Sequence, residues 1–202
     1  MCPESQDYLY EKTVLTKKLL NIGILSSLMI ITIQMTGGFI ELFQLNNEYI
    51  VLILNILNSL FNVILYTVLW RILVKHYKQS QLDWVIKSLI LTLILTTSLS
   101  VIFEIKMIKA ILIFTTALAV INLILYVVFL NKIMDIEKFE IKQIGYLKNY
   151  SLAFIICFLG QFVLSIFIEL KNKDLKYINH FLPMIPIVFI VLFFIRIKSV
   201  RA

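Results

Sequence analysis

Apolar residues occur along this chain in long stretches that short polar segments separate. A transmembrane helix needs about 20 predominantly apolar residues, and six stretches meet that requirement. Runs such as Ile86–Leu95 do not alternate apolar with polar residues, as a transmembrane β-barrel strand would. The pattern therefore predicts an all-α, polytopic membrane helix bundle with six transmembrane helices, at approximately Leu19–Phe43, Tyr49–Val74, Trp84–Phe103, Ile108–Leu130, Tyr150–Ile168 and Tyr177–Ile195.

The composition supports a membrane environment. Hydrophobic residues make up 60% of the 202 positions and charged residues 15%, whereas soluble domains are about 45–50% apolar and about 25% charged. Too few polar residues remain to cover a water-facing surface, which argues against a soluble enzyme, a disordered chain or a disulfide scaffold. We expect residues 1–18 to form a cytoplasmic polar N-terminus and residues 19–202 to form a single transmembrane domain in contact with the lipid bilayer.

The distribution of basic residues predicts the orientation. Of the 19 Lys and Arg residues, 14 lie before the first stretch, around the junction of the second and third, between the fourth and fifth, or after the sixth, counting Arg71 and Lys87 just inside the ends of the second and third stretches. The positive-inside rule therefore places both termini in the cytoplasm, most simply across a plasma or inner membrane. The formal charge of +7 then faces the anionic inner leaflet and does not indicate binding to nucleic acid.

A shift of 60 residues aligns Asn62–Tyr66 with Asn122–Tyr126 and the first stretch with the third. This similarity predicts three repeated helical hairpins at about 19–78, 84–142 and 146–202. Chance similarity between Ile- and Leu-rich helices is the alternative explanation.

A stripe of polar residues runs along the second predicted helix. Asn55, Asn58, Asn62 and Tyr66 fall within about 80° of one another at 100° per residue, and Asn122 and Tyr126 repeat part of the stripe in the fourth helix. An unpaired amide is costly in hydrocarbon, so the stripe must face protein or water. It predicts either hydrogen bonds between helices, at about 0.6 kcal/mol each, or the lining of a polar pocket or pore.

Other polar residues extend this candidate interior. Gln34 and Gln161 lie about two turns inside Glu41 and Glu169, and a neutral amide-rich core of this kind can bind a small polar uncharged solute. A glutamate lies near the end of each odd-numbered stretch. These three residues, Glu41, Glu104 and Glu169, form a candidate external cation cluster. Alternatively, these three carboxylates simply reach into the headgroup region.

The middle of each predicted helix lacks acidic and basic residues, and the chain has only five Gly and three Pro. Ion-coupled transporters commonly need charged residues at membrane depth and discontinuous helices. The lack of mid-helix charges and the small number of Gly and Pro residues therefore both argue against coupled transport. The two histidines, His76 and His180, are predicted on opposite sides of the membrane. We therefore expect no enzyme, no catalytic residue, no metal site and no cofactor.

Two functional hypotheses remain. The first is a non-catalytic membrane protein that acts by helix–helix association with a protein partner or with its own copies, in assembly, sensing or immunity. The second is a passive channel or a small-solute-binding transport subunit with an Asn/Gln-lined core. The first helix contains the spacing Gly23-x-x-x-Ser27, and six helices in about 200 residues resemble the substrate-binding membrane subunits of modular vitamin transporters. That resemblance implies a solute-binding role.

Overall fold

All regular elements in the described part of the chain are helical. The computed structural model describes residues 3–43, 45, 48–106, 109–137, 145–170 and 178–200, and none of them forms a strand. A π-helical turn at Arg71–His76 and a 3-10 turn at Ser80–Leu82 accompany the helices. The helices are α1 (Pro3–Leu42), α2 (Glu48–Trp70), α3 (Asp83–Lys106), α4 (Lys109–Glu137), α5 (Gly145–Leu170), α6 (Ile178–Phe181) and α7 (Met184–Val200).

Five of these helices contain a segment long and apolar enough to cross a membrane. They coincide with the first five predicted stretches, so the prediction of long apolar helices is confirmed there. The ends differ by a few residues, and the second and third segments include the π-helical and 3-10 turns that adjoin α2 and α3. The five segments are Lys17–Leu42, Tyr49–His76, Ser80–Ile102, Ile113–Ile136 and Gly145–Leu164.

The sixth predicted stretch corresponds to two helices instead of one. Its first residue, Tyr177, lies outside the described residues, and α6 ends at Phe181 before a turn at 182–183. Pro183 disfavours helical geometry for the residue before it, so the chain turns there and α7 begins at Met184. Pro186 falls in the first turn of α7, where its missing N–H leaves no helical bond unmade.

The helices close into a ring in chain order. Each long helix packs on the next one along the chain, and α7 returns to pack on α1. The short helix α6 packs on α1 as well. Gly23 on α1 allows a close approach at this closure, since a Cβ atom there would lie 2.7 Å from the ring of Phe194 on α7.

The buried core lies toward one end of the ring, where α2, α4 and α7 end and α3 and α5 begin. We call it the packed end. Toward the opposite end the same helices expose large side chains, such as Tyr49 at 78%, Ile113 at 71% and Phe162 at 63%. Fully or almost fully buried residues of the packed end include Leu65, Leu69, Leu73, Leu82, Ile86, Phe129, Ile133, Leu147, Tyr150, Phe193 and Phe194.

Helices α2 and α4 bury corresponding positions. Residues 65, 66 and 69 of α2 and residue 73 of the following π-helical turn are buried, as are residues 125, 126, 129 and 133 of α4, 60 positions later. In α1 and α3 the buried positions correspond at 59 residues instead, with 26, 27 and 30 matching 85, 86 and 89. A single shift of 60 therefore pairs exposed Thr32 with buried Thr92, because the hairpin loops differ in length.

A left-handed residue closes the connection between α2 and α3. Lys78 has φ of 55°, and the N–H of Gln79 donates to the carbonyl of Leu73 at 3.0 Å. This geometry ends a helix sharply, and a non-glycine residue adopts it at a cost of about 1–2 kcal/mol. The connection brings the end of α2 directly beside the start of α3.

Replacement of Gly23 by Ala tests the contact that closes the ring. We expect Gly23→Ala to lower the free energy of unfolding by about 1–3 kcal/mol, because the added methyl group overpacks against Phe194. Gly160→Ala is the matched control, since a Cβ atom added at Gly160 would meet nothing within 4 Å. Thermal unfolding in detergent measures both, and the double variant Gly23→Ala/Phe194→Leu should recover part of the loss. Equal shifts for Gly23→Ala and Gly160→Ala would contradict the close approach.

Candidate functional site

Three tyrosine hydroxyl groups meet inside the packed end. The hydroxyl of Tyr150 on α5 lies 2.6 Å from that of Tyr66 on α2 and 3.0 Å from that of Tyr126 on α4. All three side chains are at most 3% exposed. One turn after Tyr150, Phe154 stacks on Tyr126 with ring centroids 3.6 Å apart. Two of the sequence-predicted residues, Tyr66 and Tyr126, thus share one partner.

The bond between Tyr66 and Tyr150 crosses the interior of the ring. Ring neighbours of α2 are α1 and α3, whereas α5 packs on α4 and α7. A hydrogen bond of 2.6 Å between α2 and α5 therefore brings opposite sides of the ring into contact. In this conformation, the packed end holds phenol rings where an open pore would have to pass.

The amide of Asn62 bonds within its own helix. Its Nδ2 donates to the backbone carbonyl of Asn58 at 2.8 Å and lies 3.5 Å from the side-chain oxygen of Asn58. The second distance is at the limit of a hydrogen bond, so the carbonyl is the main acceptor. Asn62 is half-buried, and this bond satisfies one of its amide N–H groups within α2.

Polar side chains also join neighbouring helices. Thr92 on α3 donates to the side-chain oxygen of Asn122 on α4 at 3.2 Å, and Thr97 on α3 donates to Ser59 on α2 at 2.6 Å. These contacts correspond to the interhelical interpretation of the polar stripe. They hold α3 between its two neighbours along the ring.

Gln34, Glu41, Asn55 and Asn58 line a cleft between α1 and α2. We call it the amide cleft. Its free volume is about 30 Å³, which holds one or two water molecules. Gly37 has no side chain and leaves space in the α1 wall, while apolar residues form the remaining walls: Ile33, Val51 and Leu54.

The side chain of Asn55 differs from the other amides of the stripe. It is exposed, and in the part of the chain that the structure describes it has no hydrogen-bond partner. Asn55 lies seven residues after the first residue of α2, which is about 10 Å along the helix axis. Its amide is therefore open to the surroundings well inside an apolar segment.

Of the remaining predicted residues, the structure places Gln161 apart from the amide cleft. Gln161 is half-buried on α5, which is not a ring neighbour of α1, and it makes other contacts. The side chains of Glu104 and Glu169 lie outside the described residues, so the external cation cluster stays a prediction. Within the described residues, no group of three or more His, Cys, Asp or Glu side chains is arranged to hold a metal ion.

Tyr150 is not among the site residues that the sequence predicts; it appears there only as the first residue of the fifth stretch. Helical periodicity marks which side of α2 carries Tyr66, but not which helix lies opposite it. One signal was available in the sequence: a tyrosine at the start of an apolar stretch needs a hydroxyl partner when it is buried, and Tyr66 and Tyr126 have the same need.

Comparison of the chain with protein-family models, with curated proteins and with solved structures finds no significant match.

Replacement of Tyr150 by Phe tests the tyrosine cluster. We expect Tyr150→Phe to lower the free energy of unfolding by about 1–2 kcal/mol, because Tyr66 and Tyr126 both lose their partner in a buried site. Tyr146→Phe, one turn earlier on α5, is the control, since no hydrogen bond involves its hydroxyl among the described residues. Chemical unfolding in mixed micelles measures the difference. Equal stability of the two variants would show that the shared hydroxyl contributes nothing.

Proposed function

We propose that the chain is an integral membrane protein with six transmembrane helices and both termini in the cytoplasm. The five candidate spans support this proposal. With 17 residues, α7 is about 26 Å long and reaches the lower limit for a sixth span. Arg71, Lys75, Lys87 and Lys132 belong to the packed end, which the positive-inside rule assigns to the cytoplasm of a plasma or inner membrane.

We further propose that the ring consists of three repeated hairpins, α1–α2, α3–α4 and α5–α7. The corresponding buried positions in α2 and α4 support the repeat, as does the same pattern at 186, 187, 190 and 194 of α7. The ring order also supports it, because each hairpin packs on the next in the same sense. Repeated hairpins explain why Tyr66 and Tyr126 meet at one place.

We propose that the protein acts without catalysis, by helix–helix association in the membrane with a protein partner or a second copy of itself. The observation that carries this proposal is the open amide of Asn55 at membrane depth. An amide without a partner in hydrocarbon costs several kcal/mol. A polar side chain from another helix, placed against the amide cleft, would remove that cost.

The neighbouring residues suit such a contact. Gln34 and Asn58 are half-buried beside Asn55, so each can present part of its amide to an incoming helix. Small residues at the contact let helices approach closely, and Gly37 lies in the same cleft. A partner helix with a Ser, Thr, Asn or Gln side chain would therefore fit chemically.

A small-solute-binding subunit is the second candidate. The amide cleft supports it, because the cleft combines amide groups with the carboxylate of Glu41 and belongs to the end opposite the packed end. Its free volume of about 30 Å³ would have to expand to admit a solute larger than water. The crossed Tyr66–Tyr150 contact makes a continuous channel the weaker form of this proposal.

Substitution of Asn55 by Leu tests the association. A photo-crosslinking amino acid at Val51, which lines the same cleft, should give an adduct of defined mass in native membranes. We expect Asn55→Leu to reduce the adduct about three- to thirtyfold, because a hydrogen bond between membrane helices contributes about 0.6–2 kcal/mol. Asn62→Leu is the matched control and should leave the adduct unchanged, since Asn62 bonds within its own helix.

The absence of any adduct, or equal loss in the Asn55 and Asn62 variants, would refute association through the amide cleft. Solute uptake by proteoliposomes separates the second candidate. Uptake that is abolished by combined Leu substitution of Asn55, Asn58 and Asn62, together with the absence of an adduct, would favour the solute-binding subunit.

A further inference from the structure

Two groups of tryptophan and charged side chains lie at the packed end, one around Trp70 and one around Trp84; together we call them the Trp–Lys cluster. Trp70 at the end of α2 donates through Nε1 to a carboxylate oxygen of Asp83 at 2.6 Å. The other oxygen of that carboxylate lies 2.7 Å from Nζ of Lys87, one turn further along α3. The Lys87 and Asp83 side chains are 58% and 36% exposed. The tight connection between α2 and α3 holds these groups together.

Ammonium groups also lie over both indole rings. Nζ of Lys75 is 5.3 Å and Nζ of Lys87 is 5.5 Å from the centroid of Trp70. Nζ of Lys132 on α4 is 5.9 Å from the centroid of Trp84. Cation–π contacts position an ammonium group but leave most of its N–H donors available. Lys87 and Lys75 thus lie near the carboxylate of Asp83, which Lys87 and Trp70 already engage, while Lys132 lies only over Trp84.

An apolar surface continues directly from this cluster. Trp84, Lys87 and Leu91 lie within about 60° of one another on α3. Trp84 and Leu91 are 51% and 58% exposed. A tryptophan and a lysine above an exposed leucine match the order of headgroup and acyl chain at a membrane surface. The surface is therefore polar and cationic at its end and apolar further along the helix.

We propose that this Trp–Lys cluster binds the phosphate group of an anionic phospholipid, with one acyl chain along Leu91. The proposal rests on the membrane insertion and orientation proposed above. A phosphodiester carries one negative charge and several acceptor oxygens. It therefore complements Lys75 and Lys132, whose ammonium groups form no ion pair within the described residues. Basic pockets between helices on the cytoplasmic side recognise lipid headgroups in this way.

The tryptophans report on the site directly, because the chain has only two of them and both belong to the cluster. The full-length protein is reconstituted in phosphatidylcholine vesicles, and brominated phosphatidylglycerol or brominated phosphatidylcholine is titrated as a quencher of tryptophan fluorescence. We expect the anionic lipid to quench with a relative association constant at least about threefold above that of the zwitterionic lipid. Salt at about 0.5 M should reduce the preference, because exposed charges are screened.

Two double variants distinguish a built site from general attraction to positive charge. Lys75→Gln/Lys132→Gln should reduce the preference at least about threefold, since each basic residue near an anionic surface contributes about fivefold. It leaves the Asp83–Lys87 ion pair in place. Lys17→Gln/Lys18→Gln removes the same charge from exposed residues of α1 and should retain the preference.

Each other outcome refutes a defined part of the proposal. Equal quenching by both lipids, or equal loss in both double variants, would refute the lipid site while leaving membrane insertion intact. The absence of quenching by either brominated lipid would refute membrane insertion itself. If inorganic phosphate alone at millimolar concentration displaces the anionic lipid, the cluster is a site for free phosphate and the lipid proposal fails.

Discussion

The hydroxyl of Tyr150 holds the interior of the ring together. Buried polar groups need hydrogen-bond partners, and here one phenol serves two others from different helices. Because the contact with Tyr66 crosses the ring, α2, α4 and α5 cannot move apart at this end without breaking hydrogen bonds. The other ring contacts, including Gly23 against Phe194, pack around this fixed centre.

The two ends of the ring consequently differ in what they can do. At the packed end, the three tyrosine hydroxyls are paired and the interior is filled, so the structure there supports stability. Toward the opposite end the helices expose more of their surface, and Asn55 in the amide cleft keeps an open amide. In the proposed membrane orientation, an open amide at this depth is a functional signal, because a stable bundle gains nothing from retaining it. The proposed association follows from this contrast.

Length and hydropathy made five of the helices predictable, because both properties are local to each segment. The start of α7 was not, since it depends on how Pro183 and Pro186 divide one apolar stretch. Periodicity identified Tyr66 and Tyr126 but not Tyr150, because a stripe defines the face of one helix and not its opposite neighbour. For the same reason, the stripe gave no indication that Asn62 bonds to its own helix while Asn55 stays open.

Site-directed labelling tests most directly whether the amide of Asn55 is open while those of Asn62 and Asn122 are hydrogen-bonded. Single cysteines at positions 55, 62 and 122, in a background lacking Cys2 and Cys157, are exposed to a lipid-soluble and to a membrane-impermeant maleimide. Labelling at position 55 should exceed labelling at 62 and 122 by about tenfold or more with one or both reagents, because a reagent reaches an open side chain without displacing a packed neighbour. Equal labelling at all three positions would contradict the account, because it would place Asn62 and Asn122 in the same open environment as Asn55.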